Sequence, residues 1–153
     1  MTKIKIIIPT YNRFEKLCKL INKIQYISNY VSELVIIDNC SDDATQKIPS
    51  IKWSGLTIVY KRNNFNAGLK GNLVKSYEEA ITNVQSNYVW IMSDDDELDI
   101  DIFHDIVRQL QFNKGKLYFI NHSSRIDGEI IRKTAITKNI NFYNNLRDVF
   151  RVS

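Results

Sequence analysis

"IKIIIPTYNRFEKLCKLINKIQ", Ile4 to Gln25, changes its hydrophobic period halfway along. The first half is a short run of β-branched residues closed by Pro9, the pattern of a strand buried on both faces. In the second half Phe14, Leu17, Cys18, Ile21 and Ile24 recur at three- and four-residue spacing, which puts them on one face of a helix. Asn12 is placed to cap that helix, with Glu15 three residues on, close to a capping box. A buried strand feeding an amphipathic helix opens a strand–helix–strand unit, and such units build parallel sheets.

The alternation continues outward from this stretch. "ELVIID", Glu33 to Asp38, is a second buried strand, ending on a carboxylate. "NCSDDATQKI" is a polar loop into a short helix, with Ser41 or Asp42 as its cap. "LTIVYKR", Leu56 to Arg62, is a third strand. "NNFNAGLKGN" leads into a helix whose apolar face is Leu69, Leu73, Tyr77, Ala80, Ile81 and Val84. "YVWIM", Tyr88 to Met92, is a fourth strand, and a helix from near Asp99 turns Ile102, Phe103, Ile106, Val107 and Leu110 inward. "KLYFIN", Lys116 to Asn121, reads as a fifth strand, "RIDGEIIRK" as a hairpin turned at Asp127-Gly128, and "FYNNLRDVF" as a last short helix. The expected fold is therefore α/β: one domain over 1–153 with a mostly parallel central sheet and helices on both faces.

Composition narrows the class. With 153 residues, 44% apolar and 25% charged, the chain is a globular domain rather than a disordered one. Its net charge of +4 is carried by scattered Lys and Arg with no basic block, which gives no argument for nucleic acid. Such a surface suits an acidic small molecule or an anionic membrane face. Cys18 and Cys40 have neither disulfide-scaffold nor zinc spacing and read as reduced thiols of a cytoplasmic protein. No apolar run reaches the ~18 residues of a membrane span, and no signal-peptide pattern opens the chain.

In an open α/β sheet, ligands bind beyond the carboxyl ends of the strands. Thr10, Asp38 and Asp94 to Asp96 each follow a strand, so they share one sheet edge. The segment "WIMSDDDELD", Trp90 to Asp99, allows two readings. Three adjacent carboxylates form a solvated turn with Asp99 capping the next helix, or they hold a divalent cation through hard oxygen ligands that suit Mg²⁺ or Mn²⁺. Asp38 and Asn39 offer hydrogen bonds to a base edge, or form an Asx turn. Thr10 and Tyr11 meet a ligand carbonyl and stack on a base, or serve the core. Gly68 and Gly71 with Lys70 hold a phosphate at a helix start, or simply turn the chain. Their spacing matches neither a P-loop nor a dinucleotide fingerprint. His104 and His122 have no partners at metal spacing, Trp53 and Trp90 read as packing residues, and no Ser/His/Asp arrangement is present.

Taken in order, "IIIPTYNR", "VIIDNCSDD", "NFNAGLKGN" and "YVWIMSDDDEL" resemble the family 2 glycosyltransferases with the Rossmann-like glycosyltransferase A fold. The resemblance covers roughly residues 1–115, the nucleotide-sugar-binding part. Residues 116–153 would be the incomplete start of an acceptor part, so the chain reads as truncated. It implies that Thr10, Tyr11, Asp38, Asn39, Lys70, Asp94 and Asp95 bind the nucleotide sugar. Asp96, with Asp94, would hold Mn²⁺ or Mg²⁺ in a DxD motif. This sequence has Asp38-Asn39 where many members have two aspartates.

The implied activity is metal-dependent, inverting transfer of a sugar, with a UDP-sugar favoured, to a glycan or lipid-linked acceptor in polysaccharide or cell-envelope assembly. The catalytic base would lie beyond the chain end, since Asp127 and Glu129 read as a solvated hairpin turn and Asp148 is the tail's one other carboxylate. The resemblance also implies a cytoplasmic protein, peripheral at the inner face of the membrane, with an uncovered edge that favours self-association. A nucleotide-sugar-binding module without turnover is the alternative. A receiver domain or a dehalogenase-type phosphatase needs an acid after the first strand, where this chain has Pro9-Thr10-Tyr11.

Overall fold

The computed structural model describes residues 2–82, 86–112, 123–126 and 129–133, with backbone alone for 112, 123–126 and 129–133. β1 (Ile4–Thr10), α1 (Phe14–Gln25), β2 (Val31–Asp38), a 3-10 helix (Ala44–Ser50), β3 (Ile58–Arg62), α2 (Gly68–Ile81), β4 (Tyr88–Ile91) and α3 (Ile100–Phe112) follow in chain order. Four strands form a parallel sheet in the order β3-β2-β1-β4. The chain steps one way from β1 to β3, then crosses back to β4. Right-handed crossovers therefore put α1 and α2 on opposite faces. Separately, β5 (Ser123–Ile126) and β6 (Glu129–Lys133) pair antiparallel as the expected hairpin. Its turn residues Asp127-Gly128, the expected strand Lys116–Asn121 and the expected helix at 142–150 lie outside the described residues.

The β-branched strands supply the core. Ile6, Ile7, Ile8, Leu34, Val35 and Ile36 are fully buried. On one face Ile7, Val35 and Ile37 pack with Val59, Val89, Ile91 and Ala80 of α2. On the other, Trp90 of β4 stacks on Phe103 of α3, with ring centroids 6.1 Å apart. Trp90 is thus a packing residue. So is His104, which meets the Tyr30 ring edge-on at 5.7 Å. Cys18 and Cys40 are unpaired. No helix among the described residues is long and apolar enough to cross a membrane.

Three local expectations are corrected. Asn12 does not cap α1; it sits at φ 52, and the cap position is Arg13, which makes no side-chain cap bond. The free N–H of Phe14 instead donates to Asp43 Oδ2 at 3.1 Å, from the loop after β2. Asp43, not Ser41 or Asp42, also caps the 3-10 helix, accepting from the Thr45 N–H at 2.9 Å. Second, α2 turns part of its apolar stripe outward: Leu69 is 83% and Ile81 72% exposed and Tyr77 is exposed, whereas Ala80 packs on the core, and Asn72 and Ser76 are buried. Buried strand-end carbonyls need donors, and Asn72 supplies them, so hydrogen bonding sets the helix's rotation. Third, Ile102 is exposed although Phe103 and Val107 of the same helix are buried. Asp99 caps α3 as expected, accepting from the Asp101 and Ile102 N–H groups at 3.0 Å each.

Lys5 breaks the apolar run of β1 and is nevertheless buried. Its ammonium donates to Glu79 Oε1 at 2.6 Å and to the Glu79 and Thr82 carbonyls at the end of α2, with Glu33 3.4 Å away. Lys61 binds the other Glu79 oxygen at 2.5 Å. Burial alone would raise the Glu79 carboxyl, but the Lys5 and Lys61 hydrogen bonds and charges outweigh it and hold it below the ordinary glutamate range. A depressed carboxylate stabilises the fold above its unfolded pKa, and that contribution is lost as pH falls through the folded value. Glu79→Gln should therefore cost about 2 kcal/mol at neutral pH, below the usual cost of breaking a buried pair because Glu33 and two carbonyls still hold Lys5. The deficit should shrink as pH drops below 4. Denaturant unfolding at pH 7 and pH 3.5 reads both effects, and an equal deficit at the two values would contradict the ion-pair assignment.

Candidate functional site

The carboxyl ends of β1, β2 and β4 bring the sequence-derived residues to one edge. Beyond β4, Ser93 to Asp96 make a tight turn: the Asp96 N–H donates to the Ser93 carbonyl at 3.2 Å, and the Ser93 N–H returns a bond to Asp96 Oδ2 at 2.8 Å. Ser93 Oγ donates to Asp95 Oδ1 at 2.5 Å. Asp95 and Asp96 are exposed and Asp94 half-buried. The buried Thr10 hydroxyl at the end of β1 donates to Asp94 Oδ2 at 2.7 Å, joining the two strand ends. Burial pushes the Asp94 carboxyl above its ordinary range, with the Asp95 charge adding to the rise. The Thr10 hydroxyl, Arg13 and the Tyr11 N–H offset it only in part. Asp95 is held below its range, first by the Ser93 hydroxyl and then by the charges of Lys16 and Arg13. Tyr11 is exposed beside this turn's Thr10 anchor.

Asp38 and Asn39, at the end of β2, lie beneath the surface. Asp38 is fully buried. Its Oδ1 accepts from the Ser41 N–H at 3.0 Å and the Ser41 hydroxyl at 2.5 Å. Its Oδ2 accepts from the Tyr60 hydroxyl and Arg62 Nη1, each at 2.5 Å. Burial and then the Asp38 acid push the Tyr60 phenol far above its ordinary value, so it stays a neutral donor. The Asn39 amide is equally engaged: Nδ2 donates to Asn66 Oδ1 at 2.7 Å and the Gly68 carbonyl at 3.3 Å, and Oδ1 accepts from the Ala67 N–H at 2.9 Å and Asn63 Nδ2 at 3.0 Å. As placed, these two residues form the floor of the site. Each of their side-chain polar atoms already has a protein partner.

The floor extends into α2. Asn72 Nδ2 donates to the Ile37 carbonyl at 3.1 Å, and its Oδ1 accepts from Asn63 Nδ2 at 3.1 Å. Gly68 opens α2 at φ 69, where a side chain would be strained. Lys70 is exposed on the first turn of α2. A second zipper joins the loops after β1 and β2: the Asn12 N–H donates to Ser41 Oγ, and the Asp42 N–H to Asn12 Oδ1, both at 2.9 Å. Sequence reasoning gave Ser41 only a capping role and passed over Tyr60, Arg62, Asn63, Asn72, Lys75, Arg13 and Lys16. The one signal was the density of asparagine in "NNFNAGLKGN". Side chains that both donate and accept at every second or third position suit a loop held by its own amides.

Among the described residues, no group of three or more His, Cys, Asp or Glu is placed to hold a metal ion. The donor set at the acidic turn is two exposed carboxylates beside a half-buried one. Mg²⁺-type ions need only one or two carboxylates where phosphate oxygens and waters complete the shell, so this set fits a cation that arrives with a diphosphate.

The family model of glycosyl transferase family 2 matches residues 5–151. The chain is 37% identical over 100 residues to the abequosyltransferase RfbV of Salmonella typhimurium, covering 62% of this chain and 28% of that protein. It is 32% identical over 100 residues to the GalNAc(5)-diNAcBac-PP-undecaprenol beta-1,3-glucosyltransferase of Campylobacter jejuni, covering 64% of this chain and 31% of that one. Among solved structures, S. aureus TarS 1-349 in complex with UDP-GlcNAc superposes with a TM-score of 0.59 at 22% identity, over 72% of this chain and 32% of that chain. That likeness is one of fold, the glycosyltransferase A fold. The chain spans about a third of the length of each of these proteins.

Proposed function

The chain belongs to glycosyl transferase family 2, and from that premise we propose that it forms the donor-binding part of a glycosyltransferase that takes a nucleotide-diphosphate sugar. The observation that carries this reading is the Thr10–Asp94 hydrogen bond at 2.7 Å, which ties the exposed acidic turn to the end of β1. A UDP-sugar is the favoured donor, in line with the UDP and UDP-GlcNAc complexes of TarS. The acceptor is a glycan or a lipid-linked sugar, as the printed name of the C. jejuni relative suggests for that protein. Cell-envelope assembly at the cytoplasmic face of the membrane is the matching setting.

Asp96, with Asp94 or Asp95, would hold Mn²⁺ or Mg²⁺. When bound, the ion neutralises charge on the diphosphate leaving group. The chain's own residues do the rest of the donor-side work. Tyr11 offers an exposed ring for the base. Arg13 and Lys16 set a positive field beside the acidic turn, and Lys70 adds a cation at the start of α2. Asp94, whose half-buried carboxyl is disfavoured as an anion, gains from a nearby cation or a sugar hydroxyl that donates to it. Inverting transfer further needs a base to take the acceptor proton, and the reading places that group in the acceptor part. A binding module without turnover remains the second reading, since no base stands out among the described residues.

Asp96→Ala should weaken Mn²⁺-dependent UDP binding at least tenfold and leave the thermal midpoint within a few degrees, because the Asp96 side chain is exposed. Calorimetry on the two proteins decides it. Undiminished binding in the variant would remove Asp96 from the metal site.

A further inference from the structure

We propose that Lys75 is a positioning residue of this site: it latches the 63–68 loop by clamping that loop's buried first residue and its exposed aromatic. This rests on the donor reading above for its consequence, and on the following geometry for the latch itself. Asn63 is buried, and both hydrogens of its Nδ2 are taken, one by Asn39 Oδ1 at 3.0 Å and one by Asn72 Oδ1 at 3.1 Å. Its Oδ1 accepts from Lys75 Nζ at 2.8 Å, across from the second turn of α2. The same ammonium lies 5.6 Å from the centroid of the Phe65 ring, a cation–π distance. Phe65 is otherwise 65% exposed.

A lysine on a helix surface ordinarily reaches into water. Lys75 instead turns inward, and none of the salt bridges among the described residues involves it. Its charge is directed at an amide oxygen and a ring, both belonging to one loop. The order of dependence follows from the hydrogen bonds. Lys75 fixes the Asn63 amide, Asn63 fixes Asn39 Oδ1, and Asn39 holds the Ala67 N–H at 2.9 Å and, by donating to Asn66 Oδ1 at 2.7 Å, the oxygen that accepts from the Gly68 N–H at 2.8 Å. Asn39 also donates its own N–H to the Thr10 carbonyl at 2.9 Å, so the latched loop is registered to the residue that holds Asp94. Without the ammonium, the buried Asn63 oxygen has lost its donor, and turning the amide to find another breaks its bonds to Asn39 and Asn72.

The test compares wild type, Lys75→Met and Lys75→Arg by UDP titration with Mn²⁺ and by amide hydrogen exchange. Lys75→Met should bind UDP about tenfold more weakly. The Ala67 and Gly68 amides should exchange about tenfold faster, with a smaller acceleration at Ile7 and Val35 in the sheet and a thermal midpoint lower by no more than a few degrees. Lys75→Arg, which keeps a cation over Phe65 and a donor for Asn63, should restore both readouts. Unchanged exchange at Ala67 and Gly68 in Lys75→Met overturns the latch. So does faster exchange spread evenly through the sheet, which would mark a general loss of stability. Faster loop exchange with undiminished UDP affinity overturns the link between latch and donor. A wild-type chain that binds no UDP contradicts the donor reading instead. The latch is then judged by exchange alone, standing if Ala67 and Gly68 lose protection and falling if they do not.

Discussion

Asp38→Ala should destabilise the chain by about 3 kcal/mol, the low end of the cost of breaking a buried ion pair. The carboxylate has no exposure and receives four hydrogen bonds, from the Ser41 N–H and hydroxyl, Tyr60 and Arg62. Truncation leaves the Tyr60 hydroxyl and the Ser41 groups without their acceptor. It leaves Arg62 without its carboxylate, but that side chain is 33% exposed and can regain water, which keeps the estimate low. The midpoint of thermal unfolding should fall by about 10 °C. A midpoint within 2 °C of wild type would mean that this cluster does not form. The result also bears on the site, because the Asp38 carboxylate holds Ser41, whose hydroxyl oxygen accepts from the Asn12 N–H at 2.9 Å in the loop after β1.

Asn39→Asp should cost a similar amount, although it restores the paired aspartates that many members of the family carry. The orientation of the Asn39 amide is not ambiguous. One end faces the Ala67 N–H, which can only donate, and the other faces the Gly68 carbonyl, which can only accept. A carboxylate would set an oxygen against the Gly68 carbonyl and Asn66 Oδ1. Turning Asn66 to relieve the clash would break the bond its Oδ1 accepts from the Gly68 N–H at 2.8 Å. A buried acceptor facing acceptors, carrying charge, costs about 3 kcal/mol. The introduced carboxyl would have a folded pKa above its unfolded value, so its protonated form is the one the fold tolerates. The deficit should therefore be largest at neutral pH and shrink as pH falls below 5. Denaturant unfolding across pH 4 to 7 tests this, and a deficit that grows on acidification would contradict it.

The sheet was legible because four β-branched or aromatic runs each end on a polar residue, and helical spacing separates most of them. The placement of Thr10, Asp38 and the acidic turn at one edge followed from that alternation. Rotation of α2 was not legible. Spacing of Leu69, Leu73, Tyr77 and Ile81 pointed to an inward apolar face, yet Asn72 and Ser76 face the sheet. The deciding need, a donor for the Ile37 carbonyl, belongs to another element 35 residues away. Lys5 was unreadable for the same reason, since its partner Glu79 lies 74 residues on. Asn12 was misread as a cap because the competing cap, Asp43, reaches Phe14 from a different loop. Asp38 and Asn39 were legible as strand-end polar residues. The filling of every one of their acceptors and donors by protein groups depends on residues of β3, α2 and the loop between them.

Titration of UDP into the wild-type chain, with Mn²⁺ and then with excess chelator, tests the central claim most directly. The account predicts binding that needs the metal and is lost when the metal is removed. A folded chain that binds UDP equally well with and without Mn²⁺ would contradict the assignment of the acidic turn as a metal and diphosphate site.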